Sequence, residues 1–282
     1  MNVTPLDRQI QVINALVEGN SIRATSRLVG AEHKTVMRVL VRVGDACGQL
    51  LNEWVRNVTA KRIEVDEIWT YVFKKQAHLD TLDDHHELKG DQYVFVAIES
   101  ESKLAISHLI GKRDAATAFN LMADLQSRLA NRVQLTTDGF MPYVGAVEES
   151  FGIDIDYAML VKMYGGERSE SAGPAWYGPA HAIDARPVSI MGDPDEELIS
   201  TSFIERQNLT MRMQMRRFTR LTNGFSKKLP NLRAAVAIHF AHYNFVRVHS
   251  SLRVTPAMEA GLTDHVWELA ELLTANARRQ AA

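Results

Sequence analysis

The sequence predicts an α/β protein: a mixed sheet flanked by helices, with an all-α segment ahead of it. Three observations carry this. Apolar residues recur at helical spacing from residue 5 to residue 57, and near residue 60 the pattern changes to alternation rich in β-branched and aromatic residues. Three strand-like runs are then followed by helix, strand, helix and strand. With 282 residues, 46% of them hydrophobic, the chain has room for one good core and a small additional unit.

The elements follow in order. In "LDRQIQVINALVEG", Leu6, Ile10, Ile13, Leu16 and Val17 share one helical face, and Gly19 ends the run. Ser21 caps "SIRATSRLV", Gly30 breaks it, and a second helix opens at His33 with Val36, Val39, Leu40 and Val43 turned inward. Short helix, turn and longer helix form a helix-turn-helix pattern, in which small Ser26 lets the helices approach and Lys34, Thr35 and Arg38 face a DNA major groove. An ordinary three-helix bundle has the same pattern. Residues 1–57 are therefore expected as a helical DNA-binding domain.

Strands are expected over 62–73, 92–100 and 103–111, then a helix over 114–130 with Asp114 as cap. A strand over 132–139, a short helix and a strand over 153–161 complete the sheet. From Gly165 to Pro194 periodicity is lost among prolines and glycines, so 165–199 is expected as a loop insertion. Helices resume at about Thr201 and over 231–248. The sheet-bearing domain is thus expected over 60–250, with a helical tail over 251–282.

Charge distribution says more than the net charge of −2. Eight Lys or Arg residues and no acid lie between Arg206 and Arg233, and Arg23, Arg27, Lys34, Arg38 and Arg42 face Glu32 alone in the first patch. Two basic patches on a near-neutral chain suit one polyanion gripped in two places, although solvated helix faces read the same way. Cys47 is the only cysteine, which excludes an internal disulfide and a cysteine-based zinc site and suits a reducing cytoplasm. No apolar run approaches the roughly 20 residues of a membrane span.

Asp66 lies in an otherwise apolar strand, where an aspartate is costly unless paired. Asp138 ends the fourth strand before Gly139. Side by side in neighbouring strands, the two aspartates would be joined by Glu205 from a helix packed across the sheet. Three carboxylates without basic partners repel one another, and hard oxygen ligands favour Mg²⁺ or Mn²⁺. Two such ions about 4 Å apart can drive phosphodiester chemistry. Asn208, Arg212 and Arg216 fall on the Glu205 side of that helix, with Ile204, Met211, Met215 and Phe218 inward; Arg217, Arg220, Lys227 and Lys228 extend the basic patch. Each acid also suits an ordinary cap, strand end or helix start.

At these residues the chain resembles the DDE transposases of the insertion sequence 1 family, which have a ribonuclease H-like catalytic core. The matching stretches are "VDEIWTYVFKK" (65–75), "TTDGFMPY" (136–143) and above all "IERQNLTMRMQMRRFTRLTNGFSKK" (204–228). The resemblance covers about residues 60–250. It implies that Asp66, Asp138 and Glu205 are a catalytic, metal-binding triad that holds two Mg²⁺ or Mn²⁺ ions. It also implies that Lys34, Thr35, Arg38, Asn208, Arg212, Arg216, Arg217, Arg220, Lys227 and Lys228 contact double-stranded DNA, both terminal inverted repeats and target. A homodimer or larger synaptic assembly, in a bacterial or archaeal cytoplasm at the nucleoid, goes with it. The chain departs from the family in the separation of Asp138 and Glu205, which are 67 residues apart, and in "HYNFVRVHSSLRVTPAMEAG" (242–261), which is similar to the tail of other integrase-like transposases. A DNA-binding protein derived from a transposase that no longer cuts, or a structure-selective nuclease, fits the same residues.

Outside these stretches, "HLDTLDDHHELKGD" (78–91) reads as a polar loop despite His78, His85 and His86. His239, His242 and His249 read as structural, with a phosphate contact as the other role for the last two. Trp176 and Tyr177 are candidates to stack on an exposed base.

Overall fold

The computed structural model describes residues 4–80, 86–164, 182–219 and 222–279. The chain begins with α1 (Leu6–Val17), α2 (Ile22–Val29) and α3 (His33–Trp54). The Ser21 hydroxyl accepts from the Ala24 amide at 3.1 Å, and Gly30 closes α2 at φ 63°, a left-handed conformation that suits glycine. Val36, Val39, Leu40 and Val43 are all buried, as their spacing predicts.

Six strands form one sheet: β1 (Arg62–Val72), β2 (Gly90–Glu99), β3 (Ala105–Gly111), β4 (Gln134–Asp138), β5 (Asp156–Tyr164) and β6 (Ala182–Met191). Their order is β3-β2-β1-β4-β5-β6. Strand β1 runs antiparallel to β2 and parallel to β4, β4 is parallel to β5, and β6 is antiparallel to β5. This is the mixed sheet flanked by helices that the sequence predicts, with the first and fourth strands adjacent. Helices α4 (Ala115–Gln126) and α5 (Pro142–Phe151) cover one face. Helices α6 (Ser202–Gln214) and α7 (Leu229–Phe245) cover the other. The short α8 (Pro256–Glu259) and α9 (Leu269–Arg279) end the chain.

Strand alternation explains the layering. On β1, Glu64 and Asp66 point toward α6, while Glu67 points toward α5, where it meets the Tyr143 hydroxyl at 3.1 Å. Helix α3 packs outside α7. A Cβ on Gly44 would come within 2.4 Å of Ala234 Cα, so only glycine permits that helix contact. Trp54, Phe245 and Trp267 close the far end, with ring centroids 4.7–6.2 Å apart. One hydrophobic core therefore runs from α1 to the tail.

Two expectations are corrected. The stretch 165–199 is not all loop: β6 pairs with β5, with Pro187 opposite Leu160. Its residues from Asp184 to Ser189 are exposed, as an edge strand allows, so no alternation marks them in the sequence. Helix α6 is also shorter than the basic run: it stops at Gln214, and Arg216–Phe218 form a separate tight turn. Arg216 therefore does not continue the α6 face.

Candidate functional site

Register brings the first two acids together. The last parallel pair of β1 and β4 is Val65 with Thr137, so Asp66 and Asp138 stand at the next step on adjacent strands. Glu67 joins them: carboxylate oxygens of Asp66, Glu67 and Asp138 all lie within 4.8 Å of one another. Glu205 is outside this cluster. Its Oε1 accepts from the Lys162 ammonium of β5 and from the Thr201 hydroxyl at 2.7 Å.

The expectation of carboxylates without basic partners is corrected here. Arg113 reaches both Glu67 and Asp138, the latter at 3.6 Å, and its guanidinium stacks over the Phe140 ring at 4.1 Å. Lys162 serves Glu205. Two internal cations thus offset four acids.

The electrostatics follow from this crowding. Burial, then the charges of Asp138 and Glu67, push the Asp66 carboxyl up to about 7; the Glu67 amide and the Lys162 charge pull the other way. Glu67 is also raised, first by burial and then by Asp138, against the hold of Arg113 and Tyr143. Burial raises Glu205 too, but the hydrogen bonds from Lys162 and Thr201 outweigh it, and the net shift is downward.

Helix α6 is seated by β1. Glu64, fully buried, accepts the Phe203 and Ile204 amides at 2.8 and 3.0 Å, and so caps the helix from the sheet. The Phe203 ring lies under the Lys103 ammonium at 3.2 Å, and Lys103 itself adopts a left-handed φ of 62° at the β2–β3 turn. One turn further along, Asn208 donates to Asp66 Oδ2 at 2.9 Å.

Asn208 is 8% exposed, so it is a partner of Asp66 rather than part of an exposed basic edge as the sequence predicts. Its Oδ1 is buried and has no partner among the described residues. An orphaned acceptor beside a cluster of hard oxygen donors fits a hydrated divalent cation. Asp66 and Asp138 are the residues that could hold it, and Glu205 lies outside their cluster.

The remaining predicted contacts separate by exposure. Lys34 and Arg38 are exposed on the first turns of α3, where Arg38 donates to the half-buried Thr35 hydroxyl at 3.0 Å. Arg216, Lys227 and Lys228 are exposed, and Arg212 is half-buried. Arg217 instead turns inward, donating to Ser226 at 2.7 Å and to the Asn231 carbonyl at 3.1 Å; burial lowers it to about 10. Arg220, His85, Trp176 and Tyr177 lie outside the described residues. His239 is buried against Gln207 at 3.2 Å, and burial drops it to about 3. An 840 Å³ cavity separates the start of α3 from the 215–227 segment, lined by Arg23, His33, Arg216 and Lys227 among apolar residues.

Sequence reasoning missed Glu64, Glu67, Arg113 and Lys162. The first two sit in "EVDE", where an acid on either side of Asp66 was the available signal. Lys162 is the only cation in "DYAMLVKMY".

No family model matches the chain, and no curated protein does. Among solved structures it is similar to the Mos1 mariner paired-end complex with Mn, at 12% identity and a TM-score of 0.24, over 56% of this chain and 60% of that one. The Mos1 paired-end complex with the left transposon end matches at 13% and 0.23. The Mos1 strand transfer complex matches at 14% and 0.22. The chain spans about 60% of the length of the Mos1 chains. Likeness this slight leaves the reading to the residues.

Proposed function

We propose that this protein is a DNA transposase of the DDE type, which binds the terminal inverted repeats of its own element, cuts the strands there and joins them to target DNA. The observation that carries the reading is the nearness of the Asp66 and Asp138 carboxylates on adjacent strands, with the orphaned Asn208 oxygen on the side chain that holds Asp66. Bound Mg²⁺ or Mn²⁺ supplies Lewis acidity at a phosphodiester and makes a water or 3′ hydroxyl a better nucleophile. Asp66 and Asp138 hold the ions, two in the full reading, and Glu205 completes the set.

The chain's own groups do the rest. Asn208 fixes the Asp66 carboxylate, and Arg113 offsets the charges of Glu67 and Asp138. Lys34, Thr35 and Arg38 read bases, while Arg212, Arg216, Arg220, Lys227 and Lys228 grip phosphates, with affinity that falls steeply as salt rises. A dimer or larger assembly holds two ends together. Among the described residues no helix is long and apolar enough to cross a membrane.

The test is Mn²⁺- or Mg²⁺-dependent cleavage of a duplex carrying the DNA that flanks the gene. Wild type should nick it at the repeat end, and Asp138→Asn and Glu205→Gln should bind it without cutting. Cleavage at the wild-type rate by either variant overturns the assignment. One observation favours a second reading, a DNA-binding protein that does not cut: Glu205 is engaged by Lys162 rather than by the acid cluster. That protein would bind the repeat and leave it intact at every metal concentration.

A further inference from the structure

We propose that Lys162 is an exchangeable counter-ion: it holds Glu205 aside in the metal-free protein and is displaced when a divalent cation binds beside Asp66. The proposal rests on Asp66, Asp138 and Glu205 being the metal-holding set.

Placement is the first support. Asp138 pairs with Leu160 across β4 and β5, so Lys162, two residues on, lies on the same sheet face as Asp66 and Asp138. Its ammonium donates to Glu205 Oε1, the same oxygen that takes the Thr201 hydroxyl. Its charge also favours the ionised form of Asp66. One cation therefore acts on the acid that stands apart and on an acid of the cluster.

The contrast with Arg113 is the second support. Arg113 is anchored by Glu67, by Asp138 and by the Phe140 ring, and its planar fork fits that geometry. Lys162 is a point charge on a four-carbon stem, one quarter exposed, joined to a Glu205 side chain that is 48% exposed. Neither side chain is fully buried. A divalent ion entering beside Asp66 repels the ammonium and offers Glu205 a stronger partner.

The test uses the full-length protein and Mn²⁺ alone, with no DNA, by isothermal titration calorimetry. Lys162→Gln should bind Mn²⁺ roughly fivefold or more tightly than wild type, because a competing cation is gone. Its metal-free Tm should fall, and its Tm rise on adding Mn²⁺ should exceed that of wild type. Affinity equal to or weaker than wild type overturns the proposal. Asp66→Asn runs alongside: if it binds Mn²⁺ as wild type does, the metal-site reading fails and Lys162 falls with it. If Asp66→Asn abolishes binding while Lys162→Gln changes nothing, only the counter-ion idea fails. Should Lys162→Gln not fold, ¹⁵N-lysine NMR of the wild type decides the matter. The Lys162 ammonium signal should shift as Mg²⁺ saturates the site, and an unmoved signal overturns the proposal.

Discussion

The carboxylate of Glu64, buried in β1, accepts the Ile204 amide at 3.0 Å, one residue before Glu205. A strand thus fixes the start of the helix that carries a candidate catalytic acid. Glu64→Ala should cost about 2 kcal/mol in urea denaturation, since it leaves first-turn amides without their acceptor. Glu64→Gln, which keeps one acceptor oxygen, should cost about half as much. Equal stability for all three proteins would show that α6 is seated by other contacts.

Asp66 predicts a pH dependence. Folded, it keeps its proton until about 7, against 3.8 for an ordinary aspartate. The ionised form is thus disfavoured by folding, and stability is lost as pH rises between those two values. Asp66→Asn should therefore gain about 1–2 kcal/mol over the metal-free wild type near pH 8, and nothing near pH 3.5. Urea denaturation of both proteins at the two pH values checks this. A gain at low pH instead would reverse the sign and reject the crowded-acid account.

The basic patch divides into surface and interior. Replacing exposed Lys227 and Lys228 together by Ala should leave Tm unchanged, weaken binding to duplex DNA, and reduce the salt slope of log K by about 2. Arg217→Ala should instead destabilise the fold by about 1–3 kcal/mol, because the Asn231 carbonyl and Ser226 hydroxyl lose their donor. Fluorescence anisotropy over a salt series, with melting curves, separates the two.

Helix α3 against α7 makes a fourth prediction. Gly44→Ala should destabilise by about 1–3 kcal/mol through overpacking against Ala234. An unchanged melting curve would mean the helices part easily.

Much of the fold was legible because its signals are local. Ser21, Gly30 and Asp114 mark helix ends through backbone chemistry that acts within a few residues. The alternation over β1 likewise marks its strand. Strand β6 was not legible, because an exposed edge needs no apolar face. In the site, Asp66 and Asp138 stood out as acids where a strand should be apolar. Lys162 and Arg113 did not, because their roles depend on side chains 43 and 46 residues away. The two basic runs looked alike in sequence, yet only packing distinguishes Arg217 from Lys227.

The length of α3 has a further consequence. Its 22 residues form one unbroken rod, about 33 Å long, whose first turns carry Lys34 and Arg38 and whose later turns lie on α7. Where those first turns grip a groove, the rod acts as a ruler. The number of base pairs between the sequence read and the bond broken would then be set by a helix, and an insertion of half a duplex turn between them should silence an element end that is still recognised.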